Sequence, residues 1–235
     1  MRHICLISTE ILGWGKAGGY GFVVRMMGTE LIRRGYRVTV IMPRPREVVE
    51  YDTVLDGIEV RSYPRLAFSK GMALFREADA DIYHSHEPSL GGWLAMRAMP
   101  HRKHVVTNQD PRLLRDWWIE FRHPTYSSFQ VLKTAAYYDN PLTRWSVRAA
   151  HQVMVPAQFL KKVVARKYGL AEEPIFMPTP IRVIQSVRKS EEPTVWRRVE
   201  SGVDWVHRSV SRQPSIGHSR QELGTHQYFR SRGAA

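Results

Sequence analysis

The chain has 235 residues, of which 43% are hydrophobic and 24% charged, the balance of a soluble globular protein. A single cysteine, Cys5, excludes an internal disulfide framework, and no stretch approaches the 18 apolar residues of a membrane-spanning helix. The net charge of +13 implies attraction to something anionic, and nucleic acid, an acidic membrane surface and a phosphorylated substrate all satisfy it.

The opening residues "MRHICLISTEILGW" hold a short apolar run broken by Ser8, Thr9 and Glu10, which predicts a buried strand over "HICLIS" rather than a signal peptide. A glycine-rich loop follows. Val23, Met26, Met27 and Leu31 then recur at helical spacing, Gly35 stands where a helix should end, and "RVTVIMP" begins a second strand. Such a strand, helix and strand unit suits a parallel crossover. "GIEVRSYP" predicts a third strand. "DIYHSHEP" predicts a fourth, ended by Pro88 and followed by a helix over "SLGGWLAMRAM". "KHVVTNQ" and "HQVMVP" predict a fifth and a sixth, the latter followed by helix "AQFLKKVVARKYGL" with Gly169 at its end; "IFMP" closes the series. Strands alternating with helices predict an α/β fold built on a doubly wound parallel sheet with helices on both faces.

Between Arg112 and Ala150 the pattern turns helical, aromatic and basic, broken by Pro124 and Pro141, which predicts two or three short helices inserted between strands five and six. Its plain reading is helix packing with a solvated basic face. Its sharper reading is an interfacial surface in which Trp117, Trp118, Phe121, Tyr137, Tyr138 and Trp145 dip into an anionic headgroup layer. From about Arg182 onward the chain is rich in Arg, Ser, Gln and His, with no sustained period, and reads as linker and irregular tail.

Two constellations carry chemistry. "GWGKAGGYGF" packs five glycines into ten residues, and Gly13, Gly15 and Gly18 spell G-x-G-x-x-G. A dinucleotide fingerprint begins directly after the first strand, whereas here Thr9 to Leu12 intervene, and the acid expected after strand two is replaced by Arg44 and Arg46. Gly18 and Gly19 before a helix N-terminus also suit another anion, and the glycines can equally serve a turn alone. The second constellation is "DIYHSHEPS". His84 and His86 lie two apart on a strand, hence on one face, at its C-terminal end. A metal site with Glu87, a satisfied structural His84, and a catalytic or substrate-binding His86 at an exposed tip are the competing readings.

Taken in order, "GGYGFVVRMMGTELIRRGYRVTVIMP", "DIYHSHEPSLGGWLAMRA", "HQVMVPAQFLKKVVARKYGL" and "PIFMPTPI" resemble the N-terminal domain of GT-B retaining glycosyltransferases of family 4, and His86-Glu87-Pro88 resembles the phosphatidylinositol mannosyltransferases. The resemblance covers residues 3 to 182 and implies one Rossmann-like half of a GT-B fold, the acceptor side, over 1–182, with an irregular tail over 183–235. It implies hexose transfer from a nucleotide-sugar to a lipid or saccharide acceptor. Gly18 and Gly19 would lie against the donor phosphates and sugar, and His86 would be catalytic. Glu87, Asp110 and Arg112 are the acceptor-side candidates. No metal and no cofactor beyond the donor are expected, nor any nucleic-acid partner. The expected setting is cytoplasmic, with peripheral contact at an anionic inner membrane face.

The sequence departs from the family pattern at Gln109, where a histidine is usual after strand five, at Pro156-Ala157, where a serine caps the next helix, and at Pro178-Thr179, where Pro-Asn is usual. The second, donor-binding domain is not read: Glu192 and Glu200 match the family's paired-glutamate spacing but come too early, and the composition past Trp196 is that of a shifted reading frame. The chain alone is therefore expected to be inactive. A non-catalytic module for an anionic ligand is the competing reading.

Overall fold

A computed structural model describes residues 1–179 apart from Lys16 and Tyr126. The expectations placed on residues 183–235 lie outside the described residues.

The elements alternate in chain order. β1 (His3–Ile7), α1 (Gly19–Arg33), β2 (Arg37–Pro43), β3 (Asp52–Leu55) and β4 (Ile58–Tyr63) come first, then α2 (Phe68–Ala78), β5 (Ile82–Ser85), α3 (Leu90–Ala98) and β6 (Lys103–Thr107). Three helices follow, α4 (Leu114–Arg122), α5 (Ser128–Tyr138) and α6 (Pro141–Arg148), before β7 (Gln152–Val155), α7 (Leu160–Tyr168) and β8 (Ile175–Phe176). The eight strands form one sheet in the order β3-β4-β2-β1-β5-β6-β7-β8. Every neighbouring pair is parallel except β3 with β4. This is the doubly wound α/β sheet that the alternation predicts.

Strand β1 explains how the sheet is covered. Ile4 and Leu6 face a cluster with Val24, Met27 and Leu31 of α1, while Cys5 and Ile7 face Phe75 of α2 and Leu94 of α3. A strand apolar on both sides must be buried on both sides, so helices pack on either face. A third cluster joins Val106 and Val153 to Val147 of α6 and Val164 of α7. Gly35 and Gly169, at φ +84° and +63°, end α1 and α7 as the sequence predicts.

Two elements are absent from the sequence reading. β3 forms a hairpin with β4 through Asp56-Gly57, and α2 fills the crossover from β4 to β5. The fourth predicted strand also stops at Ser85, three residues before Pro88.

The strand order matters for function. The chain winds outward from β1 through β2, then returns to β5 and winds outward the other way. The connections leaving β1 and β5 therefore separate to opposite sides, which opens a crevice at their carboxyl ends where ligands bind in sheets of this kind.

Candidate active site

The glycine loop fills one side of that crevice. Its first half turns a corner: Ile11 and Trp14 bridge each other and are buried in the core, with Gly13 and Gly15 at φ +95° and +73°. Those glycines satisfy a backbone need and do not open the helix, so the G-x-G-x-x-G spelling has no dinucleotide geometry behind it. The second half feeds α1, with Gly18 at the N-cap. A side chain at Gly21 would meet Ala17 Cβ at 2.8 Å and the Leu12 backbone nitrogen at 3.1 Å, so the helix enters hard against its own loop. At Gly19 a Cβ would meet nothing within 4 Å.

The N-terminus of α1 already has an anion. Glu10 Oε1 accepts the N–H of Gly21 at 2.8 Å, and a Cβ on Gly18 would lie 3.2 Å from the same oxygen. The positive end of the helix and its unpaired N–H groups favour a negative charge there, and the chain supplies one itself.

The loop after β5 forms the other side. The N–H of His86 continues the sheet by donating to Ile7 at 2.8 Å. Glu87 Oε1 accepts from both the N–H and the hydroxyl of Thr9, at 2.9 and 2.6 Å, and the Thr9 hydroxyl lies 3.2 Å from that of Tyr138. Thr9 thus ties the two loops and α5 together.

His86 corrects the expectation of an exposed tip. It is 2% exposed, and neither ring nitrogen has a hydrogen-bond partner among the described residues. Burial first, and neighbouring His84 second, push its pKa down to about 3, so the ring is neutral at physiological pH. His84 is the satisfied structural histidine, its Nε2 2.7 Å from Thr107 Oγ1. Of the three residues of the metal reading, His84 Nε2 is engaged by Thr107 and Glu87 Oε1 by Thr9, while the His86 nitrogens and Glu87 Oε2 are unengaged among the described residues. Glu87 is pushed up to about 7, chiefly by burial, and its Oε2 has no partner among the described residues.

The structure brings the three acceptor-side candidates into one place. Glu87, Asp110 and Arg112 all line a cavity of about 230 Å³ together with Trp117, Asp139 and Lys167. Arg112 is not free there: it pairs with Asp110 at 2.9 Å and Glu120 at 2.6 Å and stacks on Trp117. A larger cleft of about 740 Å³ adjoins it, sharing Thr134 and Tyr138 and reaching Gly18, Glu10, Arg46, Arg65 and Lys133. The sequence reading did not single out Thr9, Glu10 or Asp139 as site residues. Thr9 and Glu10 registered only as polar breaks in an apolar run, and their partners lie 78 and 11 residues away.

The family model for Glycosyltransferase Family 4 matches residues 17–183, a span that takes in the second half of the glycine loop, His86-Glu87 and the cavity. The chain belongs to that family. Among solved structures the fold is similar to sucrose-phosphate synthase from Thermosynechococcus elongatus, at 14% identity and a TM-score of 0.50, over 76% of this chain and 48% of that one. A second similar structure is the catalytic domain of Starch Synthase IV from Arabidopsis thaliana, bound to ADP and acarbose, at 12% identity and a TM-score of 0.44, over 74% and 51%. The chain spans about half the length of each of these two structures, and at 14% identity the likeness to sucrose-phosphate synthase speaks to the fold alone. A comparison with curated proteins finds no match. Membership of the family makes the crevice at β1 and β5 part of a glycosyltransferase module.

Proposed function

We propose that the chain is the acceptor-side, GT-B half of a retaining glycosyltransferase that moves a hexose from a nucleotide-sugar to a lipid or saccharide acceptor, with the donor phosphates at Gly18 and Gly19 and His86 at the transferred sugar. The observation that carries this reading is His86 itself. A neutral, buried imidazole with two unpartnered nitrogens is costly unless something arrives to use it, and it stands at the crevice where the sheet reverses. A neutral ring can donate to, or accept from, sugar hydroxyls and the atoms that develop charge as the phosphate departs. The chain contributes orientation and electrostatics to the transfer. On this reading an arriving phosphate must share the α1 terminus with Glu10 or displace it.

The acceptor's surroundings also support peripheral membrane contact. The aromatics singled out in the 112–150 segment divide: Trp117 is buried, Phe121 is half-buried and Tyr137 and Tyr138 line the cavities, whereas Trp118 and Trp145 stand exposed. Trp118 lies with exposed Leu114, Ile119, Arg115 and Arg122 on α4, and Phe129 and Leu132 with Lys133 on α5. We place this face toward an anionic inner leaflet.

The test is transfer from radiolabelled nucleotide-sugars, by this chain and by a version joined to a nucleotide-binding second domain. The joined form should turn over and the chain alone should not. In the joined form His86→Ala should cut kcat about 100-fold, with melting temperature little changed, and Gly19→Val should raise the donor KM. Undiminished turnover by folded His86→Ala would remove the assignment.

A further inference from the structure

The smaller cavity shows a pattern of charge that chooses its ligand. Two cations line it, and both are already satisfied. Arg112 is held by Asp110 and Glu120 and lies over the ring of Trp117. Lys167 pairs with Asp139 at 3.1 Å and donates also to the Arg112 carbonyl, and its side chain is only 8% exposed. What remains unsatisfied is of the opposite kind. Among the described residues Glu87, 3% exposed, keeps Oε2 without a partner, and Asp139, with an 11% exposed side chain, keeps Oδ1 without one although its Oδ2 takes Lys167 and the Trp117 indole N–H. Buried oxygens of this sort call for donors.

We infer that this cavity is a subsite for one uncharged, hydroxyl-rich ring of the acceptor, held by hydroxyl hydrogen bonds to the free oxygens of Glu87 and Asp139, and that it rejects the phosphorylated or carboxylated form of the same ring. Three observations bear on the class. An anion would meet carboxylates that have no cation left to answer it, a repulsive contact of the kind that sets specificity. A volume of about 230 Å³ is smaller than pockets for drug-sized ligands, which begin near ~300 Å³, and so admits a single ring and not a disaccharide. The walls also include Tyr20 and Tyr138, aromatic side chains that suit packing against the C–H side of such a ring. The neighbouring cleft offers a contrast: it is lined by Glu10 and Glu47 but also by Arg46, Arg65 and Lys133, three cations with no ion pair among the described residues, so an anionic portion of the acceptor or donor finds a cation there. The inference rests on the glycosyl-transfer reading for the word acceptor, but the binding it asserts needs neither donor nor turnover.

The experiment is ligand-observed NMR titration of the chain itself, without donor, using methyl glucoside, methyl mannoside and myo-inositol against glucose 6-phosphate and glucuronate. At least one neutral ring should bind, at least tenfold more tightly than either charged one. Glu87→Gln, which keeps the shape and the Thr9 hydrogen bonds, should weaken it about tenfold. Asp139→Asn should release Lys167 and raise the affinity for glucose 6-phosphate about tenfold, and it tests the charge argument even if Glu87→Gln fails to fold. Absence of binding by any neutral ring, equal or tighter binding of glucose 6-phosphate, or unchanged affinities in both variants would overturn the inference. Failed transfer with intact ring binding would instead count against the transfer reading alone.

Discussion

Glu87 sits among groups that set its charge from several directions. Burial raises its pKa above all and the charge of Glu10 adds to this, while the two hydrogen bonds from Thr9 pull it down, leaving it at about 7 against an ordinary value of 4.5. Between those values the folded chain binds a proton that the unfolded chain has released, so ionising Glu87 withdraws stability as pH rises from about 4.5 to about 7. Glu87→Gln removes that loss. Relative to wild type the variant should gain about 3 kcal/mol between pH 4.5 and pH 8, read from urea denaturation at each pH. A difference that stays flat with pH would contradict the account. His84 and His86 work the other way: lowered to about 4 and about 3, they withhold protons that the unfolded chain takes up below 6.5, so they add stability as pH rises toward 6.5. They are common to both proteins and cancel in the comparison. Glu87 and His86 were legible because histidines and a carboxylate crowd a strand end. Asp139 was not, because what makes it a site residue is a lysine on α7 and an indole on α4, and no local spacing announces either.

Among the elements, those missed and those found differ in how they are capped. β3 does carry a signal in the sequence: Asp56-Gly57, at φ +52° and +83°, is a two-residue loop of the type that fits the twist of a hairpin, and Asp-Gly between "DTVL" and "IEVR" marks it. The strand is short, and its alternation stops at half-burial. α2 gives little to read. It has no side-chain cap, and its buried stripe is Gly71, Phe75 and Ala78, in which only Phe75 looks apolar and large. Gly71 is there because Tyr63 lies where its Cβ would be, with ring carbons 3.2 Å away. α5 and α6 show the opposite case, a boundary written in one residue. Asn140 Oδ1 accepts the N–H groups of Leu142 and Thr143 at 3.0 Å, and its Nδ2 donates to the carbonyls of Ala136 and Tyr137 at 3.0 Å. It caps the start of one helix and the end of the other. Asn140→Ala should cost about 2 kcal/mol in guanidinium unfolding, and Asn140→Asp, which keeps only the N-cap, should recover about half. Equal stability of all three would show that the helices are held by packing alone.

At the scale of the molecule, charge and exposed apolar surface converge. The chain carries +13, and the exposed faces of α4 and α5 set Trp118 and Phe129 beside Arg122 and Lys133, each cation lying over its ring. Exposed aromatics next to cations gain twice at an acidic bilayer, by burial and by counterion attraction. The chain should co-sediment with vesicles holding anionic lipid and not with neutral ones, and Trp118→Ser with Phe129→Ser should reduce the bound fraction about tenfold; equal binding to both kinds of vesicle would argue against this orientation. The fold class was legible because parallel strands buried on both faces read as continuous apolar runs. The strand order was not, because nothing in a run of valines says on which side the next strand will lie. That order also has a consequence in time. β1 is made well before β5, yet the two are neighbours, and the bonds from Thr9 to Glu87 span 78 residues. As the chain leaves the ribosome, the centre of the sheet must wait with one edge bare until β5 has emerged, and pairings so distant are slow to close once it has. The crevice is thus one of the later parts of the molecule to come into being, and until it does, an apolar strand stands open to any other chain within reach.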